Sequence, residues 1–124
     1  MSKHEYEFID YDEILEEYED ELDILPSVLQ SMQTAVVKQY EQVQKDIESQ
    51  DPKEIVESTH KLKGSVGQFF LSQLAKALNT IEVEARGGGV PSSEEIETLH
   101  QLFHESMKEA ELLQQELEQK HNVA

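Results

Sequence analysis

The residue best suited to chemistry in this chain is His60, set in the run Ser58-Thr59-His60-Lys61-Leu62-Lys63-Gly64-Ser65-Val66-Gly67. A helix turns about 100° per residue, and on that spacing Ile55, Thr59, Leu62 and Val66 share the arc that would be buried. His60 falls outside the arc, beside Lys53, Glu57, Gly64 and Gly67. The ring is therefore expected on a wetted face. Glycine inside a helix is less favourable than alanine by roughly 1 kcal/mol. Two of them, one and two turns past the ring, point to something that must come close there. Imidazole is nucleophilic near neutral pH when one nitrogen is free and the other holds the proton.

The elements that position this face follow from capping signals and apolar spacing. Residues 1–9 carry no helix start and are expected to be loose, apart from Phe8 and Ile9. Asp10 with Glu13 suggests a capped start for a short lid helix, edged by Ile14, Leu15, Tyr18 and Leu22. Asp23 and an early Pro26 then open a long helix to about Ser49, with Leu25, Leu29, Met32, Val36, Tyr40, Val43 and Ile47 on one stripe. Asp51, Pro52 and Glu54 supply an N-cap, an N1 proline and an N3 acid for the His60 helix, which should end near Gln68.

After the junction at Phe69-Phe70, Leu71, Leu74, Leu78, Ile81 and Ala85 make a further stripe that stops at Gly87-Gly88-Gly89. That glycine run lacks the strand and the Lys-Ser/Thr pair of a phosphate loop. Ser92 and Glu95 start a last helix to about Lys120 through Ile96, Leu99, Phe103, Met107, Ala110, Leu113 and Leu117. The fold class expected is all-α, an antiparallel four-helix bundle with a short additional N-terminal helix, spanning 1–124 as one domain. In such a hairpin about Phe69-Phe70, the end of the second helix returns level with His60. The ring then faces Glu82 and Arg86, and Glu82 is placed to accept a hydrogen bond from Nδ1–H and leave Nε2 free.

Composition narrows the function classes. A net charge of -17 argues against nucleic-acid or anionic-membrane surfaces, which require basic patches. Five of the ten cations, Lys53, Lys61, Lys63, Lys76 and Arg86, nevertheless fall between 53 and 86. The region around His60 is the least acidic part of the chain. Without cysteine there is no disulfide framework and no thiolate metal site. No apolar run is long enough for a membrane span and no secretory leader is visible, so a cytoplasmic protein is expected.

At His60, Leu62, Lys63, Gly64 and Ser65 the chain resembles the histidine-containing phosphotransfer (HPt) domains of two-component phosphorelays, whose hallmark is His, an apolar residue, Lys, Gly and a small residue. The likeness in helix order covers nearly the whole chain and is specific from about Ser58 to Arg86. It implies that His60 accepts the phosphoryl group, that Lys63 helps hold it and that Gly64 leaves room for a docking partner. A Gln or Glu of the family matches Glu82 as the ring's acceptor. Lys61, Ser65, Gly67 and Arg86 complete the expected contact set.

The partners implied are response-regulator receiver domains and a hybrid sensor kinase, with the chain a monomeric phosphocarrier and not an enzyme. No cofactor of its own is expected, Mg²⁺ belonging to the receiver. One departure stands out: Phe70 falls where the family usually has glycine in the hairpin turn, and a positive φ there would strain it. Two other readings compete. His100 and His104, four apart, could serve a metal-binding bundle, although no facing carboxylate set can be named. The chain could also be a non-catalytic helical adaptor with an acidic surface.

Overall fold

The computed structural model describes residues 6–122, with side chains as far as residue 120. The helices are α1 (Tyr11–Glu17), α2 (Leu25–Ser49), α3 (Pro52–Gln68), α4 (Ser72–Arg86) and α5 (Ser93–Asn122). α3 packs most extensively on α4, α2 touches both α3 and α5, and α4 touches α5, so four helices close a ring around one core. Side-chain pairs give their directions. His60 meets Glu82 and Lys63 meets Asn79 across α3 and α4, while Gln33 meets Gln114 and Tyr40 meets His100 across α2 and α5. Residue numbers rise on one helix as they fall on the other. The bundle is antiparallel, with α1 as the short additional helix.

The apolar stripes become the core. Leu29, Val36 and Val43 of α2, Ile55, Leu62 and Val66 of α3, Leu74, Leu78 and Ile81 of α4, and Leu99, Ala110 and Leu113 of α5 are all buried. Each fully buried Val, Leu or Ile among them contributes about 1.5–3 kcal/mol of hydrophobic stabilisation. Ile96 departs from its stripe: it is 37% exposed and lines a shallow groove with Tyr40, Gln44 and His100 between α2 and α5.

Two helix starts follow the capping signals. The Asp51 carboxylate accepts from the Lys53 backbone N–H at 3.0 Å, with Pro52 beginning α3. Ser92 and Glu95 cap α5 reciprocally, at 2.9 and 3.1 Å. Two others differ from expectation. Asp10 caps nothing with its side chain, because Ser72 Oγ donates to its carboxylate at 3.2 Å instead. α2 opens at Leu25 behind Ile24, without a side-chain cap from Asp23. α1 also stops at Glu17, short of Leu22, which is 38% exposed. Glu16, Glu17 and Glu19 would place negative charge at the negative end of the helix with no basic residue in its last turn, so extension is unfavourable.

The turn after α3 confirms the strain foreseen at Phe70, whose φ is 60°. The Phe70 N–H donates to the Gly67 carbonyl and the Leu71 N–H to the Val66 carbonyl, both at 3.1 Å, which is a Schellman closure with Phe where glycine is usual. Val66 and Leu71 are both fully buried and supply the apolar contact that accompanies it. A left-handed conformation costs an L residue roughly 1–2 kcal/mol. Part of the offset is visible, since the Phe70 carbonyl accepts the Asp10 N–H at 2.9 Å and the ring is half-buried against the core.

Residues 6–9 are not loose. The Glu109 carboxylate, on α5, accepts the backbone N–H groups of Glu7, Phe8 and Ile9 at 2.8 to 3.1 Å. Ile9 is fully buried, and Tyr6 stacks on Tyr11 with ring centres 5.0 Å apart. Residues 1–5, included in that expectation, lie outside those described. This clasp and the Gln73 amide, which donates to the Glu7 carbonyl at 2.9 Å, tie the segment to α5 and to the start of α4.

Candidate functional site

The α3–α4 hairpin brings His60 and Glu82, 22 residues apart, into contact at 3.1 Å between Nδ1 and Oε2. The two ends of this contact sit in opposite environments. The His60 side chain is 64% exposed and the Glu82 side chain only 3%. A carboxylate is acceptor-only, so Nδ1 is the protonated nitrogen in this arrangement, and Nε2 keeps its lone pair on the outward side of the ring.

Glu82 is the centre of a larger group. Arg86, one turn on along α4, donates to Oε2 through NH2 at 2.6 Å and Nε at 3.2 Å. Lys63, one turn on from His60 along α3, places Nζ 2.9 Å from Oε1, close enough for an ion pair but not aligned as a hydrogen bond. Burial by itself would push the Glu82 carboxyl up. The Lys63 and Arg86 cations and the His60 ring outweigh it and hold the group down at about 2. Glu82 is therefore an anion at any pH at which the bundle would work.

Of the residues singled out in the sequence, His60, Lys63, Glu82 and Arg86 come together. Gly64 and Gly67 lie on the exposed face of α3, and a Cβ built on either would meet nothing within 4 Å. Their smallness is thus not required by packing inside the molecule. Lys61 turns away from Glu82 to the groove between α2 and α3, where Lys38, Gln39, Gln42 and Ser58 line the same depression. Ser65 is half-buried and takes no part in the contacts around Glu82.

Asn79 was not anticipated. Its Oδ1 accepts from Lys63 Nζ at 3.1 Å, so the ammonium is held between two residues of α4. The antiparallel rule contained the signal: three residues forward from His60 meets three residues back from Glu82. The competing metal reading finds no ligand set, since no group of three or more His, Cys, Asp or Glu among the described residues could hold an ion. His100 instead places Nδ1 3.1 Å from the Tyr40 hydroxyl. No helix among the described residues is long and apolar enough to cross a membrane.

The fold and site together define a helical bundle that displays one tautomer-fixed histidine against a buried anion. A family model, the Hpt domain, matches residues 13–123. The chain belongs to that family, whose members carry out histidine phosphotransfer in phosphorelays and interact there with response-regulator receivers. No curated protein and no solved structure matches it.

Proposed function

We propose that His60 is the phospho-accepting residue and that the chain shuttles a phosphoryl group between the aspartates of receiver domains. The observation that carries this is the His60–Glu82 pair, an exposed ring whose Nδ1 is held at 3.1 Å by a buried carboxylate. Nε2 can then attack phosphorus without first losing a proton. Loose phosphoryl transfer depends on positioning and charge neutralisation, and here Lys63 and Arg86 are the cations near the ring. The Mg²⁺ that the reaction needs would be the receiver's own, and the carrier would need no cofactor or nucleotide site. The open surface at Gly64 and Gly67 suits a partner that must approach the ring closely. The carrier would work as a cytoplasmic monomer.

Incubation with a phosphorylated receiver domain is the test. The chain should acquire an acid-labile, alkali-stable phosphate on His60, and His60→Gln should fold normally and acquire none. Label retained in that variant, or found on His100 or His104, overturns the assignment. No label on the wild-type chain leaves the helical adaptor in its place.

A further inference from the structure

We propose that the groove between α2 and α3, flanked by Lys38 and Lys61, seats an acidic side chain of the receiver domain and so decides which receivers the chain accepts. The inference rests on the reading of His60 as phospho-acceptor and concerns how its partner is chosen.

The groove is a depression of about 250 Å³ lined by Lys38, Gln39 and Gln42 of α2 and by Ser58 and Lys61 of α3. Lys61 follows His60 in the chain, and about 100° of helix turn carries it to the α2 side. The ring therefore stands between two cationic places. On the α4 side, Lys63 and Arg86 are both ion-paired with Glu82. On the α2 side, Lys38 and Lys61 are exposed and neither forms an ion pair among the described residues. Glu41 and Glu57 lie one turn away along the same helices and still leave them unpaired. Two ammoniums facing one groove repel each other, and an anion from outside relieves that repulsion.

The polar lining favours the same guest. Ser58 donates its hydroxyl to the Glu54 carbonyl at 3.2 Å, within α3. Gln42 donates one N–H to Asp46 Oδ1 at 2.9 Å and keeps a second. Gln39 Oε1 is buried with no partner among the described residues. An orphaned buried acceptor is costly, and the same amide turned over offers N–H donors in its place.

A partner centred on Nε2 covers this groove. A standard interface spans about 800 Å² on each side, a patch roughly 30 Å across, and packed helix axes lie about 8–10 Å apart. A footprint over the ring and the open surface at Gly64 and Gly67 thus extends past Lys61 to Lys38. Most of a chain with net charge -17 attracts any cationic partner alike. A carboxylate that must fall between two lysines fixes one register, and a receiver with Lys or Arg at that place meets like charge.

The test measures transfer to the full chain from a phosphorylated receiver domain over a range of concentrations. Lys38→Glu should raise KM by about tenfold with kcat little changed. Replacing one acidic residue of the receiver by Lys should restore KM in that variant while impairing transfer to wild type. Lys108→Glu makes the same change in net charge on the exposed face of α5, diagonal to α3 in the ring of helices, and should leave KM near wild type. An unchanged KM in Lys38→Glu, an equal rise in Lys108→Glu, or a rise that no such receiver substitution repairs overturns the groove while leaving His60 as acceptor. Failure of the wild-type chain to be labelled on His60 overturns both.

Discussion

Two buried carboxylates, Glu82 and Glu109, organise two regions of this molecule, and each gathers partners from three other residues. Glu109 is 9% exposed and receives backbone N–H groups from Glu7, Phe8 and Ile9. Glu82 is 2% exposed and receives side chains, those of His60, Lys63 and Arg86. Backbone donors move only if the chain unfolds locally, so the Glu109 clasp can only hold. The side-chain donors at Glu82 can be rearranged rotamer by rotamer without unfolding any backbone. Burial of an acid is thus no guide to its role; the kind of donor that satisfies it is.

The largest effect that would test the contrast is on the clasp. Glu109→Ala leaves three N–H groups of the N-terminal segment without their acceptor and should lower stability by about 2–3 kcal/mol. Urea unfolding measures it, and phosphotransfer at temperatures where the variant is folded should stay near wild type. A large loss of transfer in a fully folded variant would show that the two regions are coupled.

Glu82→Ala should do the reverse. It removes the acceptor that fixes the ring, and by analogy with the partners that orient metal-ligating histidines, whose loss costs about 10–100-fold, transfer should slow by about tenfold. Single-turnover transfer from a phosphorylated receiver measures this; a loss below twofold would show that the ring does not depend on Glu82.

Acid should separate the same residue by stability. The Glu82 carboxyl lies at about 2 in the folded chain against an ordinary 4.5, because Lys63, Arg86 and His60 outweigh burial. A group depressed in this way contributes stability that is present above its unfolded value and is lost as pH falls through the folded one. Wild type should therefore lose stability relative to Glu82→Gln between pH 4.5 and about 2, with a constant difference above that window. The amplitude has a ceiling of about 3 kcal/mol, and the solvent exposure of His60 and Arg86 should bring it nearer 1–2 kcal/mol. Paired denaturation curves across that range would show a flat difference if the network contributes nothing.

Smaller effects are expected where the backbone and not a carboxylate is involved. At Phe70, with φ of 60°, Phe70→Ala loses ring packing without relieving the strain, whereas Phe70→Gly relieves it. The glycine variant should be more stable than the alanine variant by roughly 1 kcal/mol, the inverse of their order within a helix. Equal melting temperatures would mean that the turn is unstrained. Gly64→Gln should raise stability by several tenths of a kcal/mol through helix propensity, since nothing lies within 4 Å of a Cβ there. Transfer should fall in that variant, and unchanged transfer would remove Gly64 from the docking surface.

What the sequence by itself determined was local. Apolar residues recurring at three and four place α2 to α5 and their buried stripes, and the same spacing puts His60 on the wet side of α3. The junction at Phe69-Phe70 sets a hairpin, and a hairpin of that length brings Glu82 level with the ring. Each of these depends on the helical repeat, which neighbouring residues encode whatever the rest of the chain does. Tertiary structure decided the rest. It took Asp10 from capping α1 to accept from Ser72, pinned residues 7–9 on a carboxylate some hundred positions away, and turned Lys61 to the α2 side of α3. It also set Lys63 and Arg86 on Glu82 and brought in Asn79. These contacts depend on which faces meet and how far the helices slide past one another, and that is fixed only when the shared core packs.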